Sequence, residues 1–554
     1  MSNPDPSRPV PADPNPGGRD PVSALRDVVT ATSRAFAGDQ SLTPSLDSSP
    51  KPEMGDYSSN AAMVMSKGLG RPPREVAAEL SGLIETELGD LLDRTEVAGP
   101  GFINLFLADD WYREAVADLA GGGLGVPPVE TPGHILVESV SANPTGPLTA
   151  ASGRHAAYGD AVTRLLRKVG HDVATEYYVN DGGTQIENFA GSIAARMTGT
   201  ELPEDGYRGE YVSDLAERAR AEGIAPDDLD RLARSGVGWM VESIRASLIS
   251  FGVEMDGFFS ERSLYEGGLV ERGIERLREA GHTFEQDGAL WLKTTDFGDD
   301  KDRVLVRSGG EPTYFGADVS YHADKVERGY SLLIDVLGAD HHGYVARMDA
   351  AIQAMEQPGV SFEVQILQMI HLVEGGRRTR MSKRAGDIVT LDELLADIGN
   401  DAARFFLLQR SSDRTMDLDL DLARSQSSEN PVYYVQYAYA RIQSILRKAG
   451  EGDIDYGAGA STAVAVDPSE KALIGRLLDY PAEVHEAASR RAPHRICAYA
   501  TEVAAAYHAF YRDCQVIGAE GEGLEASRLL LCEVTGETIR YSLALLGISA
   551  PDRM

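Results

Sequence analysis

The stretch Asn143-Pro144-Thr145-Gly146-Pro147-Leu148-Thr149-Ala150-Ala151-Ser152-Gly153-Arg154-His155 decides how this chain folds. An apolar run, Ile135-Leu136-Val137, precedes it and predicts a buried strand. Apolar residues at helical spacing follow it, namely Ala161, Leu165, Leu166 and Val169. We therefore expect a strand, a tight turn and the start of a helix. A helix N-terminus attracts anions such as phosphate or carboxylate, although an ordinary βα turn explains the local pattern as well.

Length and composition are typical of a multidomain globular protein. The 554 residues suggest three or four domains, and the contents of 42% hydrophobic and 25% charged residues are ordinary for folded chains. No apolar run approaches the ~18 residues of a membrane span, so we expect no membrane contact. Residues 1–20 are rich in Pro, Asp and Gly, which predicts a disordered tail rather than a secretory signal.

The net charge of −33 argues against a general polyanion binder, because affinity for nucleic acid comes from Lys and Arg that neutralise phosphates. Any nucleic-acid surface must then be local and basic. Cys497, Cys514 and Cys532 form neither a disulfide framework nor a metal cluster. We expect reduced thiols, no metal site and a cytoplasmic location.

The order of patterns along the chain predicts an α/β multidomain fold. Strand and helix patterns alternate beyond residue 130, with strands at 175–179, 290–292 and 304–306, which favours a parallel, doubly wound sheet. Ligands of such sheets lie at the carboxyl ends of the strands. The predicted segments are a tail at 1–20, a small α/β domain at 21–125, a large domain at 130–390 with an insertion at about 185–262, a connector at 391–425, and a helical domain at 426–554.

A basic cluster stands out in this acidic chain: Gly375-Gly376-Arg377-Arg378-Thr379-Arg380-Met381-Ser382-Lys383-Arg384-Ala385-Gly386. Five cations lie within eight positions, and glycines bound the cluster on both sides. A cationic loop of this kind suits a polyphosphate or the end of a nucleic acid.

Taken together, these segments resemble the arginyl-tRNA synthetases, a class I family of aminoacyl-tRNA synthetases, over nearly the whole chain beyond residue 20. The resemblance rests on several segments, namely Gly55-Asp56-Tyr57, Gly99-Pro100-Gly101-Phe102-Ile103-Asn104, the opening stretch, Asn430-Pro431-Val432-Tyr433-Tyr434-Val435-Gln436-Tyr437 and the C-terminal residues 547–554. It implies a Rossmann-like parallel-sheet catalytic domain, a small α/β N-terminal domain that contacts tRNA, an all-α C-terminal anticodon-binding bundle, and a monomer.

The resemblance also assigns functional residues. The loop Arg380-Met381-Ser382-Lys383-Arg384 is similar to the KMSKS loop of class I enzymes. The positions implied for tRNA binding are Asn60, Asn104, Tyr433, Gln436, Tyr437 and Met554. The positions implied for the arginine pocket are Glu138, Asn143, Tyr314 and Asp318. Carboxylates accept bidentate hydrogen bonds from a planar guanidinium, although Glu138 and Asp318 are also compatible with structural ion pairs.

The chain departs from the family at its ATP motif. Class I synthetases have His-x-Gly-His at the positions that Thr149, Ala150, Ala151 and Ser152 occupy here. Loss of one preorganised donor to the developing charge typically costs about 10²–10³ in rate. The hydroxyls of Thr149 and Ser152 could replace the histidines in part, but we expect ATP-dependent adenylation to be severely weakened.

Three functions remain open, and the lost motif favours transfer. In that case the protein takes an aminoacyl group from charged tRNA and joins it, without ATP, to the amine of a guanidino acceptor, with positioning supplying much of the rate. The candidate bases are His155, His341 and His342, each of which could instead be structural. Such a protein is similar to synthetase-like transferases of blasticidin-type antibiotic pathways, which have a leucyl donor and a β-arginine acceptor.

The second function is ligation of arginine to tRNA by an enzyme with an atypical ATP site. It requires ATP with Mg²⁺, arginine and tRNA, and it uses Lys383 during pyrophosphate release. The third function is a non-catalytic, tRNA-binding regulator, whose affinity for tRNA would fall as salt rises.

Overall fold

A computed structural model describes residues 20–49, 51–378, 389–452, 454–457 and 464–554. Residues 1–19 of the predicted tail lie outside these ranges. Asp20 caps the first helix through its side chain, which accepts a hydrogen bond from the Val22 N–H, and Pro21 takes the first helical position. The N-terminal elements are α1 (Pro21–Ala37), β1 (Leu46–Ser48), β2 (Tyr57–Ser59), α2 (Ala61–Leu69), α3 (Pro73–Leu88), β3 (Leu92–Ala98), β4 (Phe102–Leu107) and α4 (Asp109–Asp118). The strands form an antiparallel sheet in the order β1-β2-β4-β3.

The central part of the chain is built around a parallel sheet. Its elements are β5 (His134–Glu138), α5 (Ala150–Lys168), β6 (Asp172–Val179), α6 (Thr184–Thr198), α7 (Tyr211–Ala221), α8 (Leu229–Ser250), β7 (Gly257–Ser260), α9 (Glu261–Glu266), α10 (Leu269–Glu279), β8 (Thr283–Gln286), β9 (Ala289–Leu292), β10 (Arg303–Val306), α11 (Tyr314–Glu327), β11 (Leu332–Gly338), α12 (Val345–Ala354) and β12 (Ser361–Leu367). Five parallel strands follow the order β12-β11-β5-β6-β7. Residues 135–137 of β5 are at most 2% exposed, as expected for a strand covered on both faces.

Two sequence predictions for this region were wrong. The strands at 290–292 and 304–306 belong to a separate antiparallel sheet, in the order β10-β9-β8, and not to the parallel sheet. The end of the range 185–262, assigned to an insertion, contains β7, which is an edge strand of the parallel sheet. Helices α6 to α8 do pack around a core of their own, because their apolar faces meet one another at Phe189, Ile193 and Trp239.

A second small sheet and a helical bundle complete the molecule. The elements are β13 (Ile370–Glu374), β14 (Arg377–Arg378), α13 (Leu391–Ile398), α14 (Asn400–Leu408), β15 (Met416–Asp419), α15 (Leu420–Arg424), α16 (Pro431–Glu451), α17 (Pro468–Leu478), α18 (Tyr480–Ser489), α19 (Pro493–Asp513) and α20 (Leu524–Leu545). The strands pair in the order β14-β13-β15. The three cysteines are buried, free thiols within this region. None of the helices in the described ranges is both long and apolar enough to span a membrane.

A buried arginine joins the helical bundle to α5. Arg404 of α14 is 1% exposed, and its Nη2 pairs with Asp160 of α5. Its Nε donates to the Leu546 carbonyl at 2.7 Å, and its Nη1 donates to the Phe251 carbonyl at 3.1 Å. Gly547 has a φ of 68°, and any side chain there would overlap the guanidinium. The C-terminal end of the chain is therefore held against the helix that begins at the opening stretch.

Candidate active site

The carboxyl ends of β5 and β11 define a crevice at the centre of the parallel sheet. The chain passes from β5 to β6 and β7 on one side, whereas β11 and β12 lie on the other side of β5. This reversal is a topological switch point, where open α/β sheets bind their ligands. β5 ends at Glu138 and leads towards α5, and β11 ends at Gly338 and leads into residues 339–344. The candidate site is therefore located here.

At the start of α5, two backbone N–H groups already donate hydrogen bonds within the protein. Thr149 caps the helix, since its Oγ1 accepts from the Ser152 N–H at 3.2 Å and lies 3.1 Å from the Ser152 hydroxyl. The Ala150 N–H donates to the Val389 carbonyl at 3.1 Å. The expectation that this helix end offers free donors to an anion was wrong for these two N–H groups, because both already have acceptors in the protein. The side chain of Ala151 is partly buried beside them.

The turn between β5 and α5 is strained. Val140 and Ser141 have φ angles of 71° and 38°, in the left-handed region that non-glycine residues avoid. The Ser141 hydroxyl donates to Glu138 Oε1 at 2.9 Å and accepts from the Tyr178 N–H at 3.1 Å. Strain of this kind, about 1–3 kcal/mol per residue, is concentrated at functional sites. Asn143 follows in the same turn and is exposed.

The Glu138 carboxylate belongs to a buried ion-pair network. Lys325 of α11 is fully buried, and its Nζ donates to Glu138 Oε2 at 2.6 Å and to Asp335 Oδ1 at 2.9 Å. His322 Nε2 lies 2.9 Å from Asp335 Oδ2. Burial alone would lower the pKa of Lys325, but the two carboxylates raise that pKa to about 12. Burial opposes ionisation of Asp335, yet Lys325 and His322 hold its pKa below the usual range. The geometry favours the structural alternative for Glu138, since Lys325 already neutralises it.

A second pair of carboxylates, Glu261 and Asp318, forms no salt bridge within the described part of the chain. Glu261 begins α9, directly after β7; it is 7% exposed, and its Oε2 has no hydrogen-bond partner among the described residues. Burial, and then the charge of Asp181, raise the pKa of Glu261. Burial raises the pKa of Asp318 to about 7; Glu261 and Glu138 add to this rise, whereas His322 and Arg347 oppose it. Because buried charges are normally paired, Glu261 and Asp318 can accept a further positive charge from a ligand.

Tyrosines and glycines complete the acidic pocket. A Cβ at Gly182 would lie 3.7 Å from Glu261 Oε2, and a Cβ at Gly183 would lie 3.6 Å from Tyr314 Oη. The glycine turn after β6 therefore brings Glu261 and Tyr314 to neighbouring positions. Tyr314 is 73% exposed. Burial, followed by the charges of Glu261 and Asp318, raises the pKa of Tyr265, which places this ring next to the acids. Two carboxylates beside aromatic faces suit a planar guanidinium.

Glu261 was missed by the sequence analysis. The range 185–262 was assigned to an insertion, so an acid at its end attracted no attention. The apolar pair Phe258-Phe259 was the available signal, because it marks β7 and places Glu261 at the carboxyl end of a strand. Of the four predicted pocket positions, Tyr314 and Asp318 lie in the acidic pocket, on the first turns of α11.

The predicted bases lie on two sides of the crevice. His155 is on α5, partly buried, with Nδ1 3.2 Å from the Ala151 carbonyl oxygen, and burial lowers its pKa. His341 and His342 follow β11 and are exposed, and His341 Nε2 lies 3.6 Å from Asp340. The KMSKS-like residues Arg380, Met381, Ser382, Lys383 and Arg384 lie outside the described residues. Within the described ranges, no cluster of three or more His, Cys, Asp or Glu side chains is arranged to hold a metal ion.

Of the side chains predicted to contact tRNA, some are hydrogen-bonded within the protein and others are exposed. Asn60 Oδ1 accepts from the Ser45 N–H at 2.8 Å, and Asn104 Oδ1 accepts from the Ser58 hydroxyl at 2.8 Å. Gln436 is buried and donates to Asp401 and to the Ser549 carbonyl. These three amides brace the fold. Tyr437 and Met554 are exposed, and Tyr433 stacks on Tyr437 with ring centroids 6.1 Å apart.

Three family models match the chain. They are the arginyl tRNA synthetase N-terminal domain at residues 23–107, the class I (R) tRNA synthetase catalytic domain at 240–433 and the DALR anticodon-binding domain at 435–554. The stretch that lacks the His-x-Gly-His motif lies outside all three ranges. The chain thus has the class I architecture, with an N-terminal domain, a Rossmann-like parallel-sheet catalytic domain and a helical anticodon-binding domain.

Full-length relatives agree with these models. An arginine–tRNA ligase of Shouchella clausii is 43% identical over 95% of this chain and 98% of its own length. An arginine–tRNA ligase of Frankia alni is 43% identical over 96% of this chain and 100% of its own. The solved structure of Thermus thermophilus arginyl-tRNA synthetase superposes with a TM-score of 0.75, at 25% identity, over 96% of this chain and 100% of that chain.

These relatives are named as ligases, so the comparisons favour the second of the three functions over transfer. They give no support to a divergent transferase of an antibiotic pathway. With full-length identity above 40% and a match in each of three domains, the chain belongs to the arginyl-tRNA synthetase family of class I.

Proposed function

We propose that the protein is an arginine–tRNA ligase, which uses ATP to join arginine to tRNA. The observation that carries the proposal is the acidic pocket of Glu261 and Asp318. Glu261 is buried and Asp318 is partly buried, neither forms a salt bridge among the described residues, and a guanidinium supplies a positive charge together with paired N–H donors. The names of the relatives point to the same substrate.

The proposed reaction has two steps. The arginine carboxylate attacks the α-phosphorus of ATP and releases pyrophosphate, and a terminal hydroxyl of tRNA then attacks the arginyl carbonyl and releases AMP. In this proposal Glu261 and Asp318 hold the guanidinium, and Tyr314 covers it from the exposed side. The strained turn from Val140 to Asn143 follows the carboxyl end of β5, at the switch-point crevice where we place the nucleotide.

A charging assay tests the proposed function. Labelled arginine, ATP with Mg²⁺, tRNA and the full-length protein should give acid-precipitable arginyl-tRNA, and omission of ATP should abolish it. Weak adenylation remains our prediction, so the enzyme is assayed up to stoichiometric amounts. Absence of product under these conditions would contradict the ligase. Transfer from charged tRNA to a guanidino amine without ATP would establish the other activity.

Arginine binding should depend on pH because of Asp318. Only the charged carboxylate attracts a guanidinium, and the pKa of Asp318 in the free protein is about 7. The dissociation constant of arginine should therefore fall as pH rises from 6 to 7 and become constant above about 8. Calorimetry in buffers of different ionisation enthalpy should detect one proton released per arginine bound near pH 6.

The Asp318→Asn variant provides the comparison for this pH effect. It should bind arginine weakly and with no pH dependence between 6 and 8. In the arginine-free protein, the raised pKa means that this group opposes folding more strongly as pH rises from 3.8 to about 7. If the dissociation constant of the wild-type protein for arginine did not change from pH 6 to 8, Asp318 would not be a contact of the guanidinium.

An aromatic platform on the anticodon-binding domain should contact tRNA bases. Arg441 lies over both Tyr437 and Tyr511, with the guanidinium carbon 4.7 Å from each ring centroid, and both rings are exposed. Stacking of one base on such a surface is worth roughly 1–3 kcal/mol. Tyr437→Ala should therefore raise the KM for tRNA by about 5-fold to 150-fold while leaving the KM values for arginine and ATP unchanged.

The control for this platform is a buried neighbour on the same helix. Tyr439→Phe removes a hydroxyl that lies 3.4 Å from Asp552 but leaves the exposed rings intact, so the KM for tRNA should stay within about twofold. Equal losses in the two variants would point to distortion of α16 instead of base stacking.

A further inference from the structure

One imidazole points into the switch-point crevice from α5. His155 lies three residues after Ser152, on the same face of the helix. Its Nε2 is 3.8 Å from the position that a Cβ would take at Gly338, the last residue of β11. Asp340 Oδ1 is 2.6 Å from that same position. An imidazole nitrogen and a carboxylate oxygen therefore approach one point at the end of β11, and the glycine keeps that point open.

The hydrogen bonds of His155 fix which nitrogen carries the proton. The Ala151 carbonyl, 3.2 Å from Nδ1, can only accept, so Nδ1 carries the hydrogen. Burial lowers the pKa of His155 and favours the neutral ring; Arg154 and His341 also lower this pKa, whereas the Ala151 carbonyl and Asp340 raise it. Nε2 is then a hydrogen-bond acceptor, and no described residue donates to it.

We propose that His155 Nε2 accepts a hydrogen bond from a ribose hydroxyl of ATP, beside Asp340, and so positions the nucleotide. A ligand that binds both acceptors must offer two adjacent donors. The phosphates of ATP carry no donor at neutral pH, whereas the ribose offers two vicinal hydroxyls. This assignment rests on the proposed ligase function, and it gives the chain a nucleotide contact one helical turn beyond the positions where the family histidines are absent.

Two polar variants separate this contact from the packing of the ring. His155→Gln keeps an acceptor near the place of Nε2, whereas His155→Asn keeps a donor near Nδ1 and has no atom at Nε2. In ATP–pyrophosphate exchange with arginine and tRNA present, His155→Asn should raise the KM for ATP by about threefold to tenfold, the range for one neutral hydrogen bond. The KM of His155→Gln for ATP should stay within about twofold of the wild-type value, and kcat should change little in both variants.

Deoxynucleotides test the chemical partner of His155. With either 2′-deoxy-ATP or 3′-deoxy-ATP, whichever lacks the contacted hydroxyl, the penalty of His155→Asn should vanish. A penalty of equal size with ATP and both analogues would overturn the proposal, as would a penalty that vanishes only with purine riboside triphosphate, which lacks the adenine amino group. An inactive wild type would instead contradict the ligase function itself.

A measurement on the wild-type protein is independent of how the variants fold. Diethyl pyrocarbonate modifies the unprotonated nitrogen of neutral histidine, and mass spectrometry reports the His155 peptide. ATP should protect His155 strongly, and arginine alone should not. Modification of His155 at the same rate with and without saturating ATP would also overturn the contact.

Discussion

Replacement of Glu261 by glutamine should raise the KM for arginine by about 30-fold to 5,000-fold. Loss of one partner from a buried, hydrogen-bonded charge pair costs roughly 2–5 kcal/mol of binding free energy. Glutamine has the same shape as glutamate, so the pocket keeps its packing and loses only the charge. Arginine-dependent pyrophosphate exchange at saturating ATP measures this effect, and the KM for ATP should remain unchanged.

The same variant should also stabilise the arginine-free protein. Glu261 is 7% exposed with an unpartnered oxygen, so its charge opposes folding until a ligand arrives. Thermal melts should show a higher midpoint for Glu261→Gln than for wild type, and added arginine should raise the midpoint of the wild type alone. Glu266→Gln on the same helix is the matched control, because Glu266 is exposed. If Glu261→Gln had the same KM for arginine as the wild type, Glu261 would not be a contact of the guanidinium.

Replacement of Lys325 by methionine should lower the free energy of unfolding by about 3–5 kcal/mol, the cost of removing one partner from a buried ion pair. The substitution leaves Glu138 and Asp335 buried without the cation that lies 2.6 and 2.9 Å from their oxygens. Methionine fills much of the same volume, so the loss reports charge and not a cavity. Urea unfolding followed by tryptophan fluorescence measures it.

The control for Lys325 is an exposed lysine. Lys67→Met on α2 should change the free energy of unfolding by less than about 0.5 kcal/mol. The raised pKa of Lys325 means that its stabilisation is complete below pH 10.5 and is lost as pH rises through about 12. Asp335 has a lowered pKa, so its stabilisation is present above pH 3.8 and falls away in stronger acid. Unchanged urea stability of Lys325→Met would show that the network contributes nothing to folding.

The core of the fold could be predicted from local sequence. The apolar run before the opening stretch forms β5, and the apolar residues at helical spacing after it lie on α5. A strand buried on both faces has a continuous apolar run, whereas a helix buried on one face has apolar residues every three or four positions, so the two patterns can be told apart. The placement of β8, β9 and β10 in another sheet could not be predicted in this way. Strand patterns record which residues are buried, but the choice of pairing partner depends on residues distant in the chain.

The candidate site was predicted in part for the same reason. Tyr314 and Asp318 are four residues apart on one helix, so their proximity follows from local geometry. Glu138 and Lys325 are separated by 187 positions, and no local pattern reveals that this lysine reaches the carboxylate. Glu261 required knowledge that β7 joins the parallel sheet. Sequence patterns therefore could not predict which charged side chains, distant in the chain, would lie next to one another.

The buried guanidinium of Arg404 has a consequence for how this protein tolerates change at its C-terminus. Its acceptors come from three separate parts of the chain, at Asp160, Phe251 and Leu546, and the last of these lies eight residues before the end. A premature stop that removed only these final residues and Leu546 would leave a buried cation short of an acceptor next to α5. The anticodon-binding bundle is therefore tied to α5 through Arg404, and loss of the residues from Leu546 onward should destabilise the packing of α14 against α5.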